Sequence, residues 1–465
     1  MITIKDSVHD HIEVEGVAAA LLDTPPVQRL RRIGQLGTVN LVYPSANHTR
    51  FEHSLGVYHI ANQALSKLGI DGQNADRIRA AALLHDVGHG PYSHNTEDLI
   101  YRQTGKYHDE VHDILEREAM ATVLDDHDID PSAVADLIAG KGRLGQLISG
   151  ELDVDRMDYL VRDAHHTGVP YGTIDHERFV RELRFIDGEL VLAAGNIQTA
   201  ESLLLARALM NPAVYNHPVA RIGKAMLRQA AEQLLRSAAT DAETLRRMDD
   251  HDLIAALRSC EQTVEYARRL DDRDLYKRAV WVEFEDVPEE LPKMNHERIQ
   301  ELTRSVADTA DIDEDDVIFD VPAGPSMPES TSRVVVNDEI RRLANSSTLV
   351  RALMTAQRDR WRFGVYTPQE SIDSVGHATE RVLGLDLDAR VSDRVGRPAT
   401  LDEFTGGDKR DARVHRHDPP WTRVRPDRGP YRRRGRDDSG GRGNERGGFD
   451  RSHSSCVRQR THASR

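Results

Sequence analysis

Apolar residues recur with a helical period through most of the first 220 positions. Two short apolar segments, 17–22 and 27–33, flank a turn at Pro25-Pro26. The spacing predicts helices at 53–69, 76–86, 108–124, 131–139 and 151–166. The 76–86 stretch is Ala and Leu almost all round after its first turn, which predicts a core helix whose end emerges at Gly88. Residues 182–195 read as a hairpin turning at Asp187-Gly188, and a helical run over 197–209 leads to Tyr215. From 221 to 390 the pattern mixes helices (223–237, 338–356) with strand-like runs at 279–284 and 334–336. No window approaches the roughly 18 apolar residues that a membrane span needs. The expected fold class is mainly α: a helical core over 1–220, a smaller α+β accessory lobe over 221–390, and a tail over 391–465.

Charge sharpens this division. The formal net charge is −15, yet the residues beyond 390 hold 19 Lys and Arg against 11 Asp and Glu, so the preceding body carries about −23. A body this acidic does not present the basic stripe of a duplex-DNA binder, so an anionic substrate must meet a local cluster of Arg, His and metal. The tail is Arg, Gly, Asp and Ser, too poor in apolar surface to fold alone; it is expected to be disordered, with nucleic-acid binding through it the lesser alternative. The two cysteines, Cys260 and Cys456, make neither a disulfide framework nor a thiolate metal site. With no signal-peptide pattern at the N-terminus, the expected location is cytoplasmic.

The chemistry shows as polar groups where helices should be apolar. His85-Asp86 closes the Ala/Leu helix, and an imidazole beside a carboxylate at a buried helix end is expensive unless paired or metal-bound. His89 and His94 follow in Gly88-His89-Gly90-Pro91-Tyr92-Ser93-His94, and His53 stands upstream in Arg50-Phe51-Glu52-His53. Asp155, Tyr159 and Asp163 recur at i, i+4 and i+8, so they face one way from one helix. Each residue alone has an ordinary reading, as a hydrogen-bonded core histidine, a chance dipeptide or a solvated acidic face. The conjunction of His, His-Asp and Asp in helical contexts points instead to a divalent metal with nitrogen and oxygen ligands, such as Fe, Mn, Mg, Zn or Ni. Such a metal lowers the pKa of a bound water and polarises a phosphoryl oxygen, the two demands of phosphate-ester hydrolysis.

At these residues the chain resembles the HD-domain phosphohydrolases, with their His…His-Asp…Asp signature. Gln35-Leu36-Gly37, Tyr43-Pro44, Arg50 to Val57, Leu84 to His94, Asp153 to Tyr159 and Arg162-Asp163 are similar to the deoxynucleoside triphosphate (dNTP) triphosphohydrolase branch. The likeness is to the members that carry a SAM domain ahead of the HD domain; no SAM domain is expected here. The resemblance implies an HD-domain helical core with His53, His85, Asp86 and Asp155 as metal ligands. It implies His94 and His108, in Lys106-Tyr107-His108-Asp109-Glu110, as acid–base groups, with Asp109 beside them. Arg50, His89, Arg156 and Arg207 would hold the phosphates. Gln35, Leu36, Tyr159 and Asp163 would surround the sugar, with Tyr215 and His217 near base or sugar. Asp23, Gln28 and Arg31 correspond to an allosteric site of the nucleotide-activated members. Arginine stands at 156 where the family often has lysine, and Ile2 where that branch has a phosphate-binding lysine.

The activity so implied is hydrolysis of dNTPs to deoxynucleoside and triphosphate through a metal-activated water, with a second Mg on the triphosphate. The expected partners are the dNTP substrate and further copies of the chain, as dimer or tetramer. The alternatives are an HD phosphohydrolase for another ester, such as a nucleoside monophosphate or cyclic nucleotide, and a nucleotide sensor or nucleic-acid-binding protein acting through the tail.

Overall fold

Helices that small residues allow to pack closely build the first half of the chain. Arg50–Leu68 begins at a capping box, where Thr49 and Glu52 satisfy each other's backbone N–H groups, and ends at Gly69. It starts three residues earlier than expected, which brings Arg50 and His53 onto its first turn. Gly72–Leu84 packs beside it, with Ala75, Ile78 and every residue from Ala80 to Leu84 buried. Val154–Thr167 lies against the same helix, capped by Asp153, whose carboxylate accepts the Arg156 N–H. Burying side chains such as Ile60, Leu65, Ile78 and Leu160, each at most 1% exposed, stabilises the fold by about 1.5–3 kcal/mol apiece.

The computed structural model describes residues 1–336 and 339–385; the expected tail of 391–465 lies outside them. Among the described residues, no helix is long and apolar enough to cross a membrane. Strands are short. Ile2–Asp6 and Asp10–Val14 form a hairpin with Ile4 opposite Ile12. Leu183–Ile186 and Glu189–Leu192 pair around Asp187-Gly188 as expected. Glu189–Leu192 then runs parallel to Arg333–Val336, so a late strand completes a sheet begun in the first half. Lys277–Glu283, Arg362–Thr367 and Ile318–Asp320 make a separate antiparallel sheet.

Among the described residues, three apolar clusters result. The largest joins the N-terminal helices to Met327, Val334, Leu343, Val350 and Leu353. A second gathers Leu99 and Ile100 with residues from Ile222 to Tyr276. The third fills the space between the Lys277–Glu283 sheet and the helices His296–Ala310 and Ile372–Leu383.

Two expected helices are corrected. The 108–124 segment is two helices, His112–Leu115 and Glu118–Asp125, because Arg117 takes extended backbone between them (ψ 146°). His108 precedes both, drawn instead toward Gly88 and Glu97. Over 338–356 a four-residue helix, Leu343–Ser346, precedes the main one, which begins at Thr348 and is capped by Ser347, whose hydroxyl accepts the Val350 N–H. Glu339–Arg342 is a strand paired with Arg333–Val336, so ladder bonds outweigh its helical spacing.

Gly56, within Arg50–Leu68, marks the closest helix approach: a Cβ there would stand 1.8 Å from Asp158 Oδ1 and 2.5 Å from an Arg162 nitrogen. Alanine normally gains about 1 kcal/mol over glycine inside a helix. Gly56→Ala is expected to reverse that sign and destabilise the protein by about 1–3 kcal/mol through overpacking, read from urea unfolding. A stabilised variant would show that the Asp158–Arg162 pair moves aside freely.

Candidate metal centre

His53 and His85 meet because their helices pack side by side. His85 follows the last residue of Gly72–Leu84 and donates its Nδ1–H to the Ala82 carbonyl at 2.9 Å. His53 donates its Nδ1–H to Asp158 Oδ2 at 2.7 Å. Both Nε2 atoms are thereby turned toward each other, 3.3 Å apart. Asp86 joins them: ligand atoms of His53, His85 and Asp86 lie within 4.8 Å of one another. Asp155 Oδ1 stands 2.9 Å from His53 Nε2 and 3.7 Å from His85 Nε2. Burial pulls the His53 imidazole down, but Asp155 and Asp158 outweigh it and push it up to about 10. Two imidazoles and two carboxylates, without thiolate, fit a divalent cation.

Asp158 does not face that point; it orients His53 from behind. Its oxygens also take His9 Nε2 at 2.6 Å and Arg162 Nε at 2.8 Å. Arg162, fully buried, donates on to Asp6 at 2.8 Å. Burial raises the Asp158 carboxyl, but Arg162, His53 and His9 hold it well below the usual range. Such outer carboxylates fix the ring orientation and basicity of a ligand histidine. Asp158 and Arg162 fall within the motifs that carry the resemblance, but the sequence assigns them no role of their own, and Asp6 carries no sequence signal; the i, i+4 Asp-Arg pair inside a buried helix is the available one.

Arg50 donates through one nitrogen to both Asp86 oxygens at 2.8 Å, and through Nε to Ser93 Oγ at 2.8 Å. Burial opposes the Asp86 charge, but Arg50, His85 and His89 hold its carboxyl well below the usual range. His89 lies 3.3 Å from Asp86 and stacks on His108 with ring centroids 4.0 Å apart. The loop carrying His108 approaches only because residue 88 is glycine: a Cβ there would meet the His108 carbonyl oxygen at 2.0 Å. Glu97 bonds the Nδ1 atoms of both His94, at 2.6 Å, and His108. Burial raises the Glu97 carboxyl, but the two imidazoles drive it far below the usual range. Burial lowers His108, yet Glu97 lifts it above the ordinary histidine value. For His94 burial prevails over Glu97 and its pKa falls. Asp109 lies outside this group, lining a surface cavity with Lys106 and His112. The carboxylate here is Glu97, three residues after His94 in sequence.

A third set lies farther along Val154–Thr167. Asp163 accepts the Tyr215 hydroxyl at 2.9 Å on one oxygen and His48 Nε2 at 2.8 Å on the other. Tyr159 stands between this carboxylate and His53, edge-on to Tyr215 with centroids 6.2 Å apart. Tyr215 ends a π-helical turn, Asn211–Tyr215, a rare element common at functional sites. Arg156 and Arg207 lie in the electrostatic field of Tyr159, and Arg156 also bonds Asp153 at 3.0 Å. Gln35 is buried with its Oε1 unpartnered, and Leu36 packs on the main cluster. His217 caps the helix Pro218–Arg236, its Nδ1 accepting the Val219 N–H. Gln28 accepts a bond from Arg31 at 2.9 Å, and Asp23 ends the Gly16–Leu22 helix.

This geometry agrees with the relatives. A family model described as HD domain matches residues 50–163, and one described as HD associated region matches 174–394. An uncharacterized protein of Methanocaldococcus jannaschii is 32% identical over 405 residues, covering 85% of this chain and 86% of the relative. The chain belongs to the HD-domain family. This HD protein is also 30% identical over 272 residues to a Dictyostelium discoideum protein named deoxynucleoside triphosphate triphosphohydrolase SAMHD1 homolog. That match covers 53% of the chain and 50% of the relative, so the HD protein spans about half the length of that relative. A phosphohydrolase of Bacteroides thetaiotaomicron matches in structure with a TM-score of 0.64 at 26% identity, over 79% of this chain and 100% of that one. The protein is a metal-dependent HD phosphohydrolase.

Asp158→Asn is expected to lower metal affinity about 10–100-fold, because a neutral amide is a weaker acceptor than the carboxylate that orients His53 and raises its basicity. Competition against a chelator would measure it. An affinity equal to wild type would show that His53 is oriented without Asp158.

Proposed function

We propose that this HD phosphohydrolase cleaves deoxynucleoside triphosphates into deoxynucleoside and triphosphate. One observation carries the reading: Asp155, Tyr159 and Asp163 lie along one helix, with Asp163 tied to the Tyr215 hydroxyl. The rise per residue sets Asp163 roughly 12 Å along the axis from Asp155. A phosphoryl group at the metal would then have its sugar against Tyr159 and a sugar hydroxyl at Asp163. The ring of Tyr159, packed against the sugar, would exclude a 2′-hydroxyl, which favours deoxy substrates. The relative named as a dNTP triphosphohydrolase supports the same reading.

His53, His85, Asp86 and Asp155 would hold the metal. When bound, it lowers the pKa of a water and withdraws charge from the phosphoryl oxygen. The water oxygen adds to the α-phosphorus, its proton passing to solvent, and the bond to the 5′-oxygen breaks with its electron pair staying on that oxygen. An imidazole of His94 or His108 gives that oxygen a proton, since an alkoxide leaves poorly near neutral pH. Glu97 engages both rings through Nδ1, which leaves each Nε2 free for that transfer. Arg50 behind Asp86, and Arg156 and Arg207 beside Tyr159, supply positive charge for a polyphosphate, while His89, kept neutral by burial beside Arg50, can offer a ring N–H to a phosphate oxygen. A monophosphate or cyclic nucleotide would not need them all.

The test is product analysis on Mn-loaded protein given dGTP, with and without a second dNTP. Deoxyguanosine plus intact triphosphate is the expected outcome; orthophosphate or pyrophosphate instead would overturn the substrate assignment. Stimulation by the second dNTP would support an effector role for Asp23, Gln28 and Arg31.

Glu97→Gln is expected to lower kcat by about 10²-fold, within the usual range for acid–base catalysis. Glu97 favours the charged form of both histidines, so its loss lowers their pKa values. An acid works only while protonated, so the alkaline limb of the kcat profile should move to lower pH. An unmoved limb would remove Glu97 from the proton-transfer pair.

A further inference from the structure

Tyr92 and Ser93 are consecutive non-glycine residues in the left-handed region, each with φ of 57°. Such backbone persists only where the surroundings over-determine it, and it clusters at functional sites. The turn delivers two groups. His94 emerges from it to meet Glu97. Ser93 Oγ donates to the Gly34 carbonyl at 2.6 Å while accepting from Arg50 Nε.

One carboxylate faces this turn from far along the chain. Asp250 opens the helix Asp250–Ser259, accepts the Tyr92 N–H on Oδ1 at 2.5 Å, and accepts the Gly34 N–H on Oδ2 at 2.9 Å. The helix does not need it, because Asp249 caps its N–H groups at His251 and Asp252. Asp250 is half-buried, and no cation hydrogen-bonds it among the described contacts. The segment before it is anchored: Arg29 donates to the carbonyls of His89 at 2.7 Å, Arg246 at 3.0 Å and Met248 at 2.7 Å. Arg29 thus ties 246–248 to the backbone just ahead of the strained turn.

We infer that Asp250 is a positioning residue for hydrolysis: by holding the N–H groups of Tyr92 and Gly34 together it locks the left-handed turn that aims His94 and sets Ser93 behind Arg50. The inference rests on the place given to His94 in the proposed reaction. It gives residues 246–259, well outside the HD motif, a part in catalysis through backbone geometry alone. No substrate atom needs to touch Asp250.

Asp250→Asn tests this in the full-length, metal-loaded protein. The amide keeps one acceptor and opposes the other N–H with an NH2. Turnover of dGTP should fall about 10–100-fold in kcat, with KM and metal per chain unchanged, because small misplacements of a catalytic group are costly. Glycine adopts left-handed backbone without strain. Adding Tyr92→Gly should therefore recover most of the loss, so that Asp250→Asn costs less than about threefold in the Tyr92→Gly background. Losses that multiply independently, or an Asp250→Asn enzyme as fast as wild type, would overturn the inference. If Asp250→Asn does not fold, Asp250→Glu, whose longer side chain cannot accept both N–H groups together, should show the same kcat loss. Hydrogen exchange at the Tyr92 and Gly34 amides gives a readout without substrate: protection unchanged in the variant sinks this inference. Wild type that fails to release deoxyguanosine sinks the substrate reading alone.

Discussion

The buried Asp158 carboxylate is the constraint around which the catalytic half is organised. It lies in the interior, and an uncompensated charge there would cost several kcal/mol. Its compensation comes from three directions: Arg162 on its own helix, His9 from the N-terminal hairpin and His53 from the neighbouring helix. Each partner is itself held, Arg162 by Asp6 and His53 by Asp155. Moving any one element leaves a charge unpaired in low dielectric, so hairpin and helices are fixed together. Gly56 is part of this arrangement, since its missing side chain is the space that Asp158 and Arg162 occupy.

From that fixed point the helix Val154–Thr167 distributes carboxylates by depth and task. Asp155 is a third exposed and faces His53 and His85. Asp158, one turn on, points inward and orients His53. Asp163 is buried again, between His48 and Tyr215, where its remaining lone pairs can accept from a hydroxyl. Glu97 repeats the logic, one carboxylate serving two imidazoles. The histidines therefore sit in distinct protonation environments although they crowd within one site: His53 is pushed up by two carboxylates, and His89 is pulled far down by burial beside Arg50.

The later part of the chain is more than a separate cap on this site. Val334, Leu343 and Leu353 enter the main apolar cluster, and Arg333–Val336 extends the Leu183–Leu192 hairpin. Arg246 reaches back to Asp113, and the 246–250 segment braces the loops around Gly34 and Tyr92. Side chains distant in sequence thus stiffen the loops that carry Gln35 and His94. Loops so braced can hold strained backbone that would otherwise relax.

Local pattern determined a good part of this protein. The helical period put Asp155, Tyr159 and Asp163 on one face, the Ala/Leu run marked a core helix ending at His85-Asp86, and Asp187-Gly188 marked a hairpin. Each depends on neighbours within two turns, and such spacing is written directly in the chain. The tertiary structure alone decided the rest. It divided 108–124 into two helices by drawing His108 toward Glu97, and it turned 339–342 into a strand by pairing it with 333–336. It set Glu97, not Asp109, between the histidines, committed Arg50 to Asp86, made His217 a helix cap, and placed Asp250 against residues more than 150 positions away. These outcomes turn on desolvation and pairing between groups remote in sequence. A carboxylate's task is set by the donor that folding brings to it, which no local period encodes.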